Sequence, residues 1–199
     1  MIVATILAAG ASVRMGRPKA LLEYRGKTFL QNILDSTAAL GLKCIVAVSD
    51  TTDKILSQHD LAEVTVVVNR EPESGPIGSI RTAIAWCINH SVEAIVVWPV
   101  DLPRIDHATV ESLVGRFRDT GLPIVVPTFE GRRGHPVIFG RAVFAELLST
   151  PGDQGARAVV RADARRVAQV PVPDPAVLDR IDTPEAYEEL LRRGDDNCQ

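Results

Sequence analysis

The chain has 199 residues, 46% hydrophobic and 24% charged, a balance typical of a soluble globular protein with one core. Its net charge of −3 gives no overall basic field, so neither nucleic acid nor a membrane surface is expected as a partner. The three cysteines are widely spaced and form no CxxC pair, which argues against a zinc site and predicts a reduced, cytoplasmic setting.

Apolar, β-branched runs recur along the chain and predict strands that helices cover on both faces. These runs are residues 2–8, 44–48, 64–68, 94–98 and 124–126. Helices are predicted over residues 28–40, 78–89, 107–120, 141–148 and 186–193, the last capped by Thr183 with Pro184 after it. The alternation predicts an α/β fold, with one domain over residues 1–194 and a frayed tail at 195–199.

The loop after the first predicted strand reads LAAGASVRMGRPK over residues 7–19. Backbone amides of small residues can form an anion-binding concavity, and Arg14 and Lys19 can neutralise charge on phosphates. Five residues separate Gly10 from Gly16 and an arginine follows, so this is not a Walker A loop. The GxGxxG fingerprint is also absent, which removes the main support for a hydride-transfer enzyme. A polyphosphate site is predicted, and a tight turn with solvated cations is the alternative.

This loop resembles the LAAGxSxRMGxxK signature of the nucleotidyltransferases, especially the molybdenum cofactor cytidylyltransferases and their guanylyltransferase relatives. The resemblance implies a three-layer, Rossmann-like fold of the GT-A type with a mostly parallel sheet. It also implies that Arg14 and Lys19 bind the triphosphate and take part in catalysis. The nucleotide-binding residues implied in this loop are Leu7, Ala8, Ala9, Gly10, Ser12, Arg14 and Lys19.

Later segments extend the resemblance along nearly the whole chain. The sequence GPIG at 75–78 resembles the base and ribose region of the guanylyltransferases, which implies nucleotide contacts for Gly75 and Gly78. A turn before a helix is the alternative there. The sequences GHPV, GDQGAR and IDTPE, which begin at residues 134, 152 and 181, resemble cytidylyltransferase segments. Arg180 stands where that family carries an acid, and PVDLP at 99–103 is nearer the guanylyltransferase form.

Asp101 follows a buried apolar run, which places its carboxylate at the carboxyl end of a central strand. Magnesium binds one or two protein carboxylates together with phosphate oxygens and waters. Asp101 is therefore predicted to be a catalytic Mg²⁺ ligand, with capping of the next helix as the alternative. The resemblance adds Asp182 as a second metal ligand, although an aspartate at a helix start can instead favour the helix dipole.

Residues 127–140 are rich in glycine and proline and follow the fifth predicted strand, where an open parallel sheet carries ligand-binding loops. This stretch also contains Arg132, Arg133 and His135. We therefore expect His135 to bind the phosphate of the acceptor, helped by Arg133 or Arg132, and a histidine without a ligand is the alternative.

Together these features predict transfer of CMP from CTP to the phosphate of molybdenum cofactor, a phosphate-bearing pterin, with release of pyrophosphate. A molybdoenzyme or its chaperone is a further expected partner. The preference for CTP rests on Ala9, because the loop begins LAAG in the cytidylyltransferases and LAGG in the guanylyltransferases. The alternatives are guanylyl transfer to the same cofactor, a sugar- or polyol-phosphate nucleotidyltransferase, and a binding module without turnover.

Overall fold

A computed structural model shows an eight-stranded sheet lying between two layers of helices. The structure describes residues 1–10, 12–49, 57, 59 and 61–195. Apart from residue 195, the predicted frayed tail lies outside the described residues.

The large sheet has the order β10-β7-β9-β6-β1-β4-β5, with β8 paired to β7. Its strand β9 runs antiparallel to both β6 and β7, whereas β1, β4, β5 and β6 are parallel, as are β7 and β10. The short strands β2 and β3 form a separate hairpin. The strands are β1 (Ile2–Leu7), β2 (Glu23–Tyr24), β3 (Lys27–Thr28), β4 (Lys43–Val48), β5 (Val64–Val68), β6 (Ala94–Pro99), β7 (Ile124–Phe129), β8 (Arg132–Arg133), β9 (Val137–Gly140) and β10 (Val167–Pro171). The predicted α/β class with a mostly parallel sheet is therefore confirmed.

The helices are α1 (Phe29–Ala39), α2 (Pro76–Ile88), α3 (His107–Thr120), α4 (Phe144–Ser149), α5 (Gly155–Ala162) and α6 (Pro184–Asp195). Thr28 caps α1 by accepting a hydrogen bond from the Gln31 amide at 3.0 Å. The predicted cap of the last helix is also present, because Thr183 Oγ1 accepts from the Ala186 amide at 3.3 Å. The predicted helix over 141–148 is instead a 3-10 turn at Arg141–Val143 followed by α4.

The strand residues alternate between two cores, one on each face of the sheet. On β1, Val3 packs in one core, whereas Ala4 and Ile6 pack in the other. Helices α1, α3 and α6 cover the Ala4 face, and α2, α4 and α5 cover the Val3 face. This arrangement gives the predicted three layers.

The expectation that residues 127–140 form one loop is wrong. The stretch contains the end of β7, a tight turn through Glu130 and Gly131 at positive φ, and then β8 and β9. Strand β9 forms because residues 137–140 are buried and fill the gap between β6 and β7. Only residues 134–136 remain to connect the two strands β8 and β9.

Candidate functional site

The neighbouring strands β1 and β6 bring two predicted site segments together at the carboxyl edge of the sheet. Leu7 and Pro99, the last residues of these parallel strands, lie opposite each other in the register. Pairing continues one step further, because the Val100 amide donates to the Leu7 carbonyl at 3.2 Å. Strands β4 and β6 lie on opposite sides of β1, so the chain reverses its winding direction here, and such switch points carry ligand sites in open α/β sheets.

A cleft of about 390 Å³ opens at this edge. Most of the site residues predicted from the sequence line it, although they come from four separate parts of the chain. These residues are Leu7, Ala8, Ala9, Gly10, Ser12, Arg14, Lys19, Gly75, Asp101 and Asp182. Gly78, Arg133 and His135 are not among the described residues that line it.

The first loop is folded back on itself by Ser12. Its hydroxyl accepts a hydrogen bond from the Lys19 amide at 3.1 Å, which closes the segment between them. A 3-10 turn at Val13–Met15 occupies that segment, and Gly16 ends the turn at a φ of 64°, a conformation that favours glycine. Met15 packs in the core and anchors the turn. As a result Arg14 stands at the exposed rim of the cleft, whereas the Lys19 side chain points into it.

The Lys19 ammonium group contacts two carboxylates that are far apart in sequence. Its Nζ lies 3.3 Å from Asp101 Oδ2 and also donates a hydrogen bond to Asp182 Oδ1. Arg14 lies further away, with its guanidinium 3.9 Å from Asp182 Oδ2. The side chains of Lys19 and Asp101 are only 15% and 11% exposed, so this cluster is largely shielded from water.

Backbone hydrogen bonds set the positions of the two carboxylates. The Ile181 amide donates to the Asp101 carbonyl at 3.0 Å, which joins the segment before α6 to the end of β6. Ile181 is buried, so the residues on either side of it, Arg180 and Asp182, face the cleft. The Trp98 indole donates to the Leu102 carbonyl at 3.0 Å and fixes the turn that carries Asp101.

Their surroundings shift the pKa values of the two carboxyl groups in opposite directions. Burial raises the pKa of Asp101 above its ordinary value, although Arg180 and Lys19 oppose this effect. Burial also disfavours ionised Asp182, but the hydrogen bond and charge of Lys19 outweigh it and lower the pKa of Asp182. The ionised form of Asp182 is therefore favoured, whereas Asp101 is the carboxyl group whose ionised form additional positive charge would stabilise.

The donor atoms fit a hard divalent cation. Asp101 Oδ1 is buried without a hydrogen-bond partner, although the Arg180 guanidinium lies 3.7 Å away. Asp101 and Asp182 already converge on one positive group. Among the residues that the structure describes, no group of three or more histidine, cysteine or acidic side chains is arranged to hold a metal ion. Two carboxylates with open space beside them match the preference of Mg²⁺ for few protein ligands and several phosphate or water oxygens.

Two polar residues in another wall of the cleft were not predicted from the sequence. Asn69 follows β5 and donates from its amide group to Ser79 Oγ at 3.2 Å, and both side chains are buried beside the cleft. Gly75, at a φ of 72°, precedes Pro76 at the start of α2, so the positive end of this helix dipole opens onto the cleft. The position of Asn69 directly after a strand, at the carboxyl edge, was the available clue.

Gly78 lies one turn into α2, behind this wall. A Cβ atom there would stand 2.9 Å from the Glu71 carbonyl oxygen, so the glycine allows α2 to pack closely against the preceding turn.

The GHP segment is held against the turn at Pro175–Leu178. The His135 amide donates to the Val177 carbonyl at 2.9 Å, and a Cβ atom on Gly134 would stand 2.5 Å from that carbonyl oxygen. His135 is partly buried there, whereas Arg133 is exposed on β8. Arg180 lines the cleft. In the sequence it was noted only as a position at which the chain departs from the cytidylyltransferases.

None of the helices in the described ranges is long and apolar enough to cross a membrane.

The sequence model of the family called MobA-like NTP transferase domain matches residues 4–169. The chain therefore belongs to this family, as its first loop predicts. Nicotine blue oxidoreductase from Paenarthrobacter nicotinovorans is 29% identical over 94% of both chains. A probable molybdenum cofactor guanylyltransferase from Bacillus cereus is 28% identical over 64% of this chain and 62% of the relative. A solved structure of Rv0371C from Mycobacterium tuberculosis, in complex with manganese, is 31% identical over 96% of this chain and 97% of its own, with a TM-score of 0.79.

Proposed function

We propose that this member of the MobA-like NTP transferase family transfers CMP from CTP to the phosphate of molybdenum cofactor and releases pyrophosphate. The observation that supports this most is the convergence of Asp101 and Asp182 on Lys19, directly beside the first loop. A polyanionic substrate with a divalent cation fits a cleft in which three basic side chains, Arg14, Lys19 and Arg180, face two carboxylates. The family and the relative named a guanylyltransferase support the same type of reaction.

In the proposed reaction, an oxygen of the acceptor's phosphate attacks the α-phosphorus of the triphosphate. The bond from that phosphorus to the oxygen bridging the α- and β-phosphates breaks, and pyrophosphate leaves with the electron pair. The attacking phosphate is anionic at neutral pH, so no general base is required. The protein mainly positions two polyanions and reduces their repulsion. Arg14 and Lys19 act on the triphosphate, together with backbone amides of the first loop.

Asp101 and Asp182 are the proposed ligands of Mg²⁺, which stabilises negative charge on the transferring phosphate when it is bound. The solved manganese complex of the Mycobacterium relative supports a divalent metal in this fold. Lys19 adds a positive charge between the same carboxylates, and this charge offsets their mutual repulsion.

The choice of CTP rests on Ala9, which lines the cleft and is 6% exposed. A difference of one methyl group discriminates between substrates by about 1–3 kcal/mol, so partial use of GTP is expected. Guanylyl transfer to the same cofactor is the main competing function, and the relative named a guanylyltransferase favours it. Transfer to a sugar or polyol phosphate, and nucleotide binding without turnover, are two further candidates. A molybdoenzyme or its chaperone is the proposed recipient of the product.

The relative named an oxidoreductase favours a second candidate, reduction of a small-molecule acceptor, because its similarity spans nearly the whole chain. The first loop has no GxGxxG fingerprint for a dinucleotide, so nucleotidyl transfer remains the proposal.

A single panel of assays tests these functions. The purified chain is incubated with Mg²⁺, each of the four ribonucleoside triphosphates in turn, and molybdopterin in its metal-bound form, and pyrophosphate is measured. We expect release that needs both substrates, is fastest with CTP and is absent in Asp101→Asn. Release that needs the acceptor but occurs with GTP and with no other triphosphate would support the guanylyltransferase. No release with any triphosphate would refute transfer to this cofactor, and consumption of NADH or NADPH in a parallel assay would then support the oxidoreductase.

A further inference from the structure

Tyr187 joins the two segments that carry Lys19 and Asp182. Its hydroxyl donates a hydrogen bond to the Glu23 carbonyl at 2.8 Å and accepts one from the Glu23 amide at 3.2 Å. Glu23 follows Lys19 closely in the chain, as Tyr187 follows Asp182, and neither is among the described residues that line the cleft. The two segments are therefore joined twice, once by side chains inside the cleft and once by the tyrosine hydroxyl.

The chain between Lys19 and Glu23 is stiff. It forms a 3-10 turn at Lys19–Leu21, which the Leu22 amide closes by donating to the Lys19 carbonyl at 3.0 Å. Leu22 is fully buried, and its carbonyl accepts a hydrogen bond from the Phe29 amide at 2.7 Å, so the turn is bonded to the start of α1. A shift of Glu23 would therefore move Lys19 as well.

The chain between Asp182 and Tyr187 is held by two hydrogen bonds of its own. The Tyr187 amide donates to the Thr183 carbonyl at 3.1 Å, and the Ala186 amide donates to Thr183 Oγ1 at 3.3 Å. These bonds form the first turn of α6, which begins directly after the Asp182 segment. The position of Tyr187 therefore determines where Asp182 lies relative to the first loop.

Two further contacts hold the ring of Tyr187. The Phe29 ring packs against it edge to face, with the two ring centroids 5.9 Å apart. The Arg17 guanidinium lies over it at 5.2 Å from the ring centroid, a distance typical of a cation–π contact. Arg17 precedes Lys19 in the sequence and Glu23 follows it, so this one tyrosine contacts the chain on both sides of the lysine.

We propose that Tyr187 is a positioning residue, which holds Asp182 where its carboxylate meets Lys19 and can bind the divalent cation. The inference rests on the proposed function and extends it, because it names a residue that acts on the metal site through Asp182. Mg²⁺ requires nearly ideal geometry and short distances to its oxygen ligands, so a small displacement of Asp182 weakens metal binding. A site of this kind depends on the residues that support its ligands.

Binding of Mn²⁺, a paramagnetic substitute for Mg²⁺, tests this role without turnover. The full chain is saturated with the α,β-methylene analogue of CTP or GTP, whichever binds, and unbound Mn²⁺ is measured by electron paramagnetic resonance. Tyr187→Phe keeps the ring and removes only the hydroxyl. The affinity for Mn²⁺ should fall by about three- to tenfold, since part of the free energy of two hydrogen bonds is lost from the site. Asp182→Asn, which removes the charge of a ligand, should weaken binding further.

Two comparisons separate positioning from general stability. In the Asp182→Asn background, Tyr187→Phe should weaken Mn²⁺ binding by less than about twofold, because the tyrosine acts through Asp182, whereas independent effects would multiply. Tyr24→Phe is the matched control, since Tyr24 is the other tyrosine of the chain and packs in the core from the hairpin of β2 and β3. It should leave the affinity for Mn²⁺ unchanged.

Thermal unfolding identifies a temperature at which the variants are folded, and binding is measured there. An unchanged affinity for Mn²⁺ in folded Tyr187→Phe would overturn the proposal. So would a loss of the same size in the presence and absence of Asp182. Failure of Tyr187→Phe to fold would also overturn it, because the hydroxyl would then be needed for the whole fold.

The positioning role and the proposed function fail in different ways. If Mn²⁺ binding depends on Tyr187 but no acceptor gives pyrophosphate, transfer to this cofactor is refuted and the positioning role stands. If pyrophosphate is released but Tyr187→Phe needs no more Mg²⁺ than the wild type for half of its maximal rate, the transferase stands and the positioning role is refuted.

Discussion

The two sides of the cleft are built in different ways. The first-loop wall, residues 7–19, is one continuous segment that a hydrogen bond from the Lys19 amide to Ser12 closes on itself. The second wall consists of Arg180 and Asp182, which line the cleft, and of the segments behind them, residues 134–135 and 174–179, which hold one another. His135 bonds to Val177, and Ile181 bonds to Asp101. A local motif thus forms one half of the site, and tertiary contacts form the other.

Asp174 shows how firmly the second wall depends on the fold. Its buried carboxylate accepts hydrogen bonds from the Asp106 amide at 2.9 Å, Thr109 Oγ1 at 3.0 Å and the Ala176 amide at 2.9 Å. These bonds join the second wall to the start of α3. We therefore expect substitutions in the first-loop wall to affect chemistry, and substitutions in the second wall to affect acceptor binding and folding together.

Asp101 lies between the two walls, and its substitution should have the largest effect. Asp101→Asn keeps the shape of the side chain but removes the charge that binds the metal, so turnover should fall by at least about a thousandfold. Pyrophosphate release measures this, with thermal unfolding as the check that the fold is intact. Turnover within tenfold of the wild type would show that Asp101 does not bind the metal.

Lys19 tests the charge balance of the first-loop wall. Lys19→Met should lower turnover by roughly a hundredfold to a thousandfold, the usual cost of losing one group that stabilises transition-state charge. The variant should also melt at a lower temperature, because Asp101 and Asp182 then face each other without a cation between them.

Added Mg²⁺ or Mn²⁺ should restore most of that lost thermal stability in Lys19→Met, and should do much less in the wild type. Lys27→Met is the control, because Lys27 pairs with Asp35 on the surface. A melting temperature that does not respond to metal would contradict the placement of the cation between these two carboxylates.

His135 tests the second wall through the pH dependence of folding. Its pKa falls from 6.5 to about 4 on folding, so the unfolded chain binds an additional proton between these values. Stability therefore decreases as pH falls from 6.5 towards 4, and this group contributes a loss of about 2 kcal/mol at pH 5 relative to pH 7. His135→Gln should remove that loss, as measured by urea unfolding at both pH values. His107→Gln, at a partly exposed position on α3, should keep it. Equal pH dependence in wild type and His135→Gln would show that His135 is not held uncharged.

Substitution of Ala9 should have the smallest effect, since it changes the first-loop wall by one methyl group. The variant is Ala9→Gly, which gives the loop the LAGG form. It should shift the ratio of CTP to GTP use towards GTP by about tenfold or less, in line with the roughly 1–3 kcal/mol that a methyl group provides. Competition between the two triphosphates at equal concentration, with the products separated by mass, measures the ratio. An unchanged ratio would show that base choice lies elsewhere in the cleft.

Local sequence patterns were sufficient to predict the first-loop wall and most of the sheet. The β-branched runs predict β1 and β4 to β7 because strands buried on both faces are apolar throughout. The loop could be predicted because its small residues, its turn and its cations lie within one short segment.

The second wall could not be predicted from local patterns. Arg180 faces the cleft because Ile181 is buried and bonded to Asp101, and no neighbouring residue in the sequence indicates that contact. Strand β9 was missed because its four residues follow a glycine- and proline-rich stretch, and it forms only because β6 and β7 leave a gap between them. Asn69 likewise joins the site through the position of β5 beside β4.

Label transfer from the triphosphate tests the central claim most directly. CTP labelled with ³²P at the α-phosphate is incubated with the chain, Mg²⁺ and metal-bound molybdopterin, and the products are separated. The account predicts that the label moves to the pterin, with one pyrophosphate released for each label transferred, and that Asp101→Asn shows no transfer. Label that remains in CTP, or that appears only as free CMP, would contradict it.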